Sequence, residues 1–431
     1  LLRLRQGSDL GQDSEMGSIA HDSPGSSVPD ADALAAAARV LAGSDRVADP
    51  FATAEIFPAE AYTGEAFWRF EKWALFEREW LCVGHVGQIP APGDHFSITI
   101  IGEPIIVARD EDGAVNVFSA ICQHRGHPLM DGLDAPTKAG ACRNAKRLMC
   151  PYHAWSYRLD GRLHAAPGME KTASAEALRQ RIRLPPIRHT IFHGLIFINF
   201  DAAAPDLGPG LERMEAMIAG YGLDALLATP ATSVAIASNW KIYQENSLEP
   251  YHTDIVHKAS HNPAPAHLSA FYDYAPGDGA IITTTGFADS AELFAAEDQP
   301  ALPPIAGLDE AQSSRLLFVA VLPVLFLLFE PGSVLVTLAL PEGAGRMTLT
   351  TFSLYPREAL EQPDFEAAAQ AQAAALRVIV AEDIATQEAL QRGHGSRFTP
   401  KGVLSWLEAT IPQMNSWLVE RYAAALDRAK G

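Results

Sequence analysis

The stretch from Asn239 to His257 crowds metal-binding groups into nineteen residues. It reads Asn239-Trp240-Lys241-Ile242-Tyr243-Gln244-Glu245-Asn246-Ser247-Leu248-Glu249-Pro250-Tyr251-His252, with His257 five residues further on. Two neutral imidazoles plus one carboxylate make a facial triad, which holds iron(II) and leaves positions open for dioxygen and substrate. On a regular α-helix, residues five apart sit about 140° around the axis. His252 and His257 can therefore share a metal only if a π-type turn or a helix end falls between them.

A second constellation is more specific. Cys122-Gln123-His124-Arg125-Gly126 and Cys150-Pro151-Tyr152-His153-Ala154-Trp155 form a C-x-H … C-x-x-H pair, one thiolate and one imidazole on each arm. A tetrahedral Cys2His2 zinc site is one reading. A Rieske [2Fe–2S] centre, with two Cys on one iron and two His on the other, is the second. A typical zinc finger places both Cys on one arm and both His on the other. The mixed arms favour the iron–sulfur reading, which makes Cys122, His124, Cys150 and His153 the cluster ligands.

These residues need elements to hold them. The chain has 431 residues, which argues for two domains, and 48% of them are hydrophobic. A net charge of -19 argues against a nucleic-acid partner. The longest apolar run, Leu316 to Phe329, is too short for a membrane span and contains Pro323. No apolar segment follows the arginines of residues 1–6, and only four cysteines occur, so a cytoplasmic location is the expectation.

Residues 1–50, rich in Ser, Gly, Asp and Ala, read as a disordered tail that allows a short helix at Ala33 to Leu41. Aromatic residues at three- and four-residue steps from Thr63 to Trp80 predict a lead-in helix within 51–80. From Gln88 the period drops to two, and small antiparallel strands are expected through 81–190. Residues 191–431 read as a strongly apolar antiparallel sheet with helices at Phe365 to Gln391 and Pro412 to Ala429. The fold class is thus α+β.

The chain resembles the large (alpha) subunit of Rieske non-haem iron ring-hydroxylating oxygenases. The resemblance runs over roughly residues 60 to 428 and rests on Trp80, Pro92-Gly93-Asp94, both Cys/His arms and the Asn239-to-His257 block. It implies a small all-β Rieske domain followed by a helix-grip catalytic domain. His252 and His257 match the iron-binding histidines. Asp383, in Ala381-Glu382-Asp383-Ile384, is the expected third ligand, with Glu382 the runner-up.

Glu249 stands where the family has an acidic residue, usually Asp, that joins an iron ligand to a cluster histidine of the neighbouring subunit. That role implies a homotrimer, with a beta subunit allowed, and makes His153 the neighbour's histidine. A solvated helix carboxylate is the plainer reading of Glu249. Asn246 and Tyr251 are candidates to support the iron ligands, or ordinary polar surface. Trp240 and Tyr243 read as core, His261 and His267 as loop histidines, and His127 and His164 as structural.

The implied cofactors are a [2Fe–2S] cluster and Fe(II), with O2 as co-substrate. No G-x-G-x-x-G follows a strand, so NAD(P)H would act only through a separate reductase, with or without a ferredoxin. The implied reaction is mono- or dioxygenation of an aromatic or other ring compound. Glu at 249 also resembles the branch that oxidises quaternary ammonium compounds such as carnitine or glycine betaine. A non-catalytic Rieske carrier with a ligand-binding domain is the reading from another class. The 25 residues between His124 and Cys150 exceed the family's usual gap. The segment Asp134 to Met149, with Lys138, Cys142, Arg143, Lys146 and Arg147, reads either as a solvated loop or as a docking site for an acidic electron donor.

Overall fold

The computed structural model describes residues 28–129, 142–260, 264–275, 277–288 and 302–430. Leu81–His85 (β1) is followed by Asp94–Ile100 (β2), Glu103–Arg109 (β3) and Val115–Ser119 (β4). Apolar residues alternate through Phe96, Ile98 and Ile100, so β2 buries one face. Short strands follow at Arg143–Asn144 (β5), Leu148–Met149 (β6), Ser156–Tyr157 (β7) and Leu163–Ala165 (β8). Arg188–Phe192 (β9) and Leu195–Asn199 (β10) close the segment by pairing β10 with β1. Among the described residues these strands make three antiparallel sheets, in the orders β1-β10-β9, β4-β3-β2-β5 and β6-β7-β8.

The second half is built on an eight-stranded antiparallel sheet. Its strands are Leu227–Ala228 (β11), Thr232–Ile236 (β12), Ser269–Phe271 (β13), Ala280–Gly286 (β14), Arg315–Val321 (β15), Leu325–Glu330 (β16), Ser333–Gly343 (β17) and Arg346–Tyr355 (β18). From β14 to β18 each strand pairs with the next in sequence, a meander whose connections from β15 onward are short. Register then decides what faces the helices. Thr283, Phe318, Leu328 and Leu335 stand opposite one another across four strands, and Phe326 stands opposite Thr337. Directly opposed residues share a face, so these rows form one continuous, mostly apolar floor.

Over that floor lie the helices Trp240–Leu248 and Phe365–His394. Asn239 caps the first, accepting a hydrogen bond from the Lys241 backbone N–H at 2.9 Å. Nearly the whole helix is buried, Lys241 included. Lys241 Nζ lies 2.7 Å from Glu71 Oε1, and Trp240 Nε1 donates to Glu71 Oε2 at 3.0 Å. Tyr422 from the C-terminal helix Thr410–Arg428 also donates to Glu71. One carboxylate thus ties three helical segments together where water cannot reach. Replacing Lys241 by Met should leave that charge uncompensated and cost about 3–5 kcal/mol of stability in urea unfolding. Adding Glu71→Gln should recover part of the loss.

Two expectations change. The stretch read as a disordered tail is ordered from residue 28, with a helix at Ala31–Ala42 capped by Asp30 and packed on the Glu65–Glu71 and Thr410–Arg428 helices. Its buried alanines, Ala33, Ala36 and Ala37, are small enough to let the helices approach closely. Residues 1–27 lie outside the described residues. The lead-in helix is in three pieces: Glu60–Thr63, Glu65–Glu71 and a wide π-type turn at Lys72–Phe76. Among the described residues no helix is long and apolar enough to cross a membrane.

Candidate metal centres and active site

The Trp240–Leu248 helix stops because Pro250 forces Glu249 into an extended conformation, φ -112° and ψ 136°. A single helical turn, Thr253–Val256, follows, with His252 at its start and His257 just past its end. The break demanded by the five-residue spacing therefore comes as a helix end at Val256. It brings the two Nε2 atoms to 3.3 Å from one another. Asp383 reaches in from the long helix, its Oδ1 3.0 Å from His257 Nε2 and 3.4 Å from His252 Nε2.

The outer nitrogens decide what these atoms can do. His252 Nδ1 sits 2.6 Å from Glu249 Oε1, and His257 Nδ1 sits 2.8 Å from Glu382 Oε2, which also accepts from Ser260 Oγ at 2.6 Å. A carboxylate accepts a proton at each Nδ1, so each Nε2 turns a lone pair inward. Asp383 Oδ1, facing both inner nitrogens, adds a third donor atom. Three ligand atoms within 4.8 Å of one another fit a divalent cation of the iron(II) class.

Electrostatics agree. Burial works to lower the His252 imidazole, but the Asp383 and Glu249 carboxylates outweigh it and carry the group up to about 9. His257 is raised by Asp383 and Glu382 against the same penalty of burial. Burial pushes Asp383 up, and the two imidazoles more than reverse it. The pocket stabilises positive charge, whether a proton or a metal. Below about 9 a proton on His252 must leave before metal binds. Apparent Fe(II) affinity should therefore fall at least about tenfold for each unit of pH below that value, more steeply where the raised His257 is protonated as well, and level off above it. Equilibrium dialysis across pH checks this.

The triad opens onto a cavity of about 130 Å3. Its floor is the row of Thr283, Phe318, Leu328 and Leu335, and its roof is one face of the long helix. Leu376, Val380, Asp383 and Gln387 follow one another at steps of three and four and so share that face. Tyr243 lines the wall, its hydroxyl held by Ser247 and Thr337. Asn246 Nδ2 approaches His252 Nε2 at 3.3 Å, and its Oδ1 accepts from Gln387 Nε2 at 2.6 Å. Tyr251 is 56% exposed and does not line the cavity, because the chain turns at Pro250 and directs it outward. His267 is exposed and off the cavity, and His261 lies outside the described residues.

The Cys/His arms form two facing turns. Gly126 N–H donates to the Cys122 carbonyl, and Ala154 N–H to that of Cys150, both at 3.0 Å. Gly126 takes φ 76°, and Ala154 takes the left-handed region at φ 57°, a conformation that side chains rarely adopt outside functional turns. Cys122 and Cys150 are buried and unbridged. Burial and the neighbouring Cys150 raise the Cys122 thiol, so two thiolates here need a cationic centre between them. The imidazoles of His124 and His153 lie outside, 4.8 Å apart and nearly perpendicular, with His153 exposed. Tyr157 places its hydroxyl 3.3 Å from Cys122 Sγ, and Trp155 stacks on His124 at 4.6 Å. Buried sulfurs and outer imidazoles fit a [2Fe–2S] group held as two Cys and two His. Of the long intervening segment, residues 130–141, Lys138 among them, lie outside the described residues, and Cys142 is exposed.

Sequence reasoning missed Glu382 as the partner of His257, and Gln387 and Ser260 altogether. Glu382 was legible only as a rival ligand, since adjacent acidic residues on a helix point about 100° apart. Gln387 sits one turn beyond Asp383, a signal that could have been used.

Residues 79–179 match the Rieske [2Fe-2S] domain, and residues 223–424 match the ring hydroxylating alpha subunit catalytic domain. The carnitine monooxygenase oxygenase subunit of Acinetobacter baumannii is 32% identical over 204 residues, 47% of this chain and 52% of that protein. The glycine betaine monooxygenase oxygenase subunit of Chromohalobacter salexigens is 31% identical over 207 residues, 46% and 42% of the two chains. The large oxygenase component of a 2,4-dinitrotoluene dioxygenase system from Burkholderia sp. is 33% identical over 205 residues, 46% and 43%. The chain thus spans about half the length of the curated relatives it matches. Among solved structures, a quaternary ammonium Rieske monooxygenase superposes with TM-score 0.70 at 22% identity, covering 88% of this chain and 98% of that one. Naphthalene 1,2-dioxygenase from Rhodococcus sp. gives 0.69 at 19%, covering 91% and 98%. At these identities the structures speak for the fold.

Proposed function

The chain belongs to the large (alpha) subunits of Rieske ring-hydroxylating oxygenases, and from that premise we propose that it is a terminal oxygenase component acting on an apolar, uncharged ring compound. The observation that carries the reading is the convergence of His252, His257 and Asp383 at the mouth of an apolar cavity. Iron(II) on that triad would supply dioxygen activation, and a [2Fe–2S] group on Cys122, His124, Cys150 and His153 would supply electrons singly.

The chain's own residues do the rest. Glu249 and Glu382 hold a proton on each outer imidazole nitrogen, which fixes the tautomers and makes the inner nitrogens stronger donors. Asn246, pinned by Gln387, presents its amide N–H to the centre. Phe318, Leu328, Leu335 and Leu376 exclude water and press an apolar substrate towards the triad. No Lys or Arg occurs among the described lining residues, so a substrate carboxylate would be buried without a counter-charge.

Glu249 keeps 11% of its side chain exposed and lies at the outer nitrogen of His252, away from the inner nitrogens that face Asp383. Each of its oxygens has a second lone pair, able to accept a proton from the exposed His153 of another copy. Such a head-to-tail contact closes into a ring, most simply a homotrimer. Electrons would come from NAD(P)H through a separate reductase, directly or by way of a ferredoxin.

A second reading has its own observation. Tyr243, Phe326 and Phe318 lie in a row with neighbouring ring centroids 6.3 Å apart, a surface on which a trimethylammonium group could rest. The carnitine and glycine betaine oxygenases among the relatives favour the same substrate class. Oxygen and NADH consumption with a generic reductase, against neutral arenes, aromatic acids and trimethylammonium compounds, separates the readings. Coupled product from neutral rings supports the first. Product from cations alone favours the second, and no coupled consumption with any compound contradicts both.

A further inference from the structure

A chain of net charge -19 carries a strongly basic segment beside its iron–sulfur arms. Between residues 142 and 183 there are nine Lys or Arg against three Asp or Glu. The fold gathers several of them onto one surface. Arg147 lies three residues before Cys150, and Arg158 directly follows Tyr157, whose hydroxyl touches Cys122 Sγ. Arg179 Nε donates to the His164 carbonyl at 3.0 Å. The charges of Arg147, Arg158 and Arg179 all reach the His164 ring and, added to its burial, lower its basicity.

Further along the same surface, Arg162 and Arg183 are directly opposed in an antiparallel bridge. Like charges in that relation repel and cost stability. Arg162 is partly answered by Asp160 at 3.8 Å. Among the described residues no carboxylate lies within ion-pair distance of Arg147, Arg158, Arg179 or Arg183, and all four are exposed. Among the described residues, four of these five arginines stand without a counter-ion, so the surface is set against an external anion.

We propose that the arginine surface around His164, formed by Arg147, Arg158, Arg162, Arg179 and Arg183, is the docking site for an acidic electron-donor protein. The proposal rests on the oxygenase reading above. Charge complementarity selects the occupant, and β6 and β7, which flank the Cys150 arm and bring the Tyr157 hydroxyl to Cys122 Sγ, tie the surface to the cluster ligands. A [2Fe–2S] group held by Cys122, His124, Cys150 and His153 would take up one electron from the donor's reduced centre, the donor being oxidised by one electron and no atom being transferred. The surface differs from the loop singled out by sequence spacing. Only Arg147 belongs to both, and the other four arginines come from strand ends and from a helix far along the chain.

The test uses the full chain and a reduced plant-type ferredoxin, an acidic [2Fe–2S] protein, as probe. Stopped-flow bleaching of the cluster should slow as salt rises in the wild type. In Arg147→Glu/Arg158→Glu/Arg179→Glu it should be about tenfold or more slower at low ionic strength, the two converging at high salt. The same substitutions to Ala should fall between. Calorimetric binding of oxidised ferredoxin should weaken in the same order. Dithionite must bleach all variants to the same extent, which shows that the clusters are intact. Rates indifferent to both salt and charge reversal would overturn the docking site while leaving the oxygenase reading standing. If dithionite bleached no cluster even in the wild type, the oxygenase reading itself would fail. If charge reversal instead dissociated the oligomer, with ferredoxin binding unchanged, the surface would belong to a second copy of this chain.

Discussion

Replacing Asp383 by Ala should abolish oxygenation, by about a thousandfold or more, while the [2Fe–2S] spectrum is unchanged. The expected loss corresponds to about 4 kcal/mol or more in the barrier. Asp383 Oδ1 is the only carboxylate oxygen that approaches both inner nitrogens among the described residues. With it gone, two neutral imidazoles face an apolar cavity, and nothing balances the charge of a divalent ion there. Neither neighbour can substitute, because Glu249 and Glu382 are committed to the outer nitrogens. The cluster arms lie on separate elements from this site, so the [2Fe–2S] absorbance serves as an internal control. Full activity in the variant, with iron still at the second site, would remove Asp383 from the triad. Glu382→Ala separates ligand from supporter: it should weaken iron binding about 10–100-fold rather than eliminate it.

The second large effect is expected from Glu249→Gln. The carboxylate accepts both the His252 ring proton, at 2.6 Å, and the His252 backbone N–H, at 3.1 Å. An amide of the same shape can accept only one of them and turns an N–H toward the other. Iron should still bind when supplied in excess, since all three ligands remain. Electron delivery should suffer more, about a hundredfold, because both the charge and the second acceptor face for a neighbouring His153 are lost. Single-turnover oxidation of the pre-reduced cluster in the presence of substrate reads this directly. Slow cluster oxidation with iron bound supports the bridge. Wild-type oxidation rates would make Glu249 a support for His252 and nothing more.

How far the sequence reaches depends on whether a signal is local. The strands from Leu316 to Leu354 and the long helix from Phe365 are written in their own residues, and the structure shifts their ends by only a few positions. The interruption between His252 and His257 was forced by spacing alone, whereas the stop of the first helix before Pro250 emerged only with the structure. The two metal constellations were legible because their donor types are rare in combination.

What the sequence hid is tertiary. Whether Glu382 or Asp383 meets the inner nitrogens depends on the rotation of a 30-residue helix, which its own residues do not specify. Tyr251 looked equivalent to Asn246 until the chain's turn at Pro250 placed one outside and the other against the ring of His252. The sequence allows a short helix at Ala33 to Leu41, but the packing of Ala31–Ala42 on the Glu65–Glu71 and Thr410–Arg428 helices is not legible in it. The arginine surface is assembled from segments that are unremarkable one at a time.

The most direct test of the two-centre account is metal and sulfide analysis of the anaerobically purified full chain. With a two-iron Rieske group and one mononuclear site, about three irons and two acid-labile sulfides per chain are expected. Asp383→Ala should then lose one iron and no sulfide. Zinc in place of iron, or two irons per chain in the wild type with no change in Asp383→Ala, would contradict it.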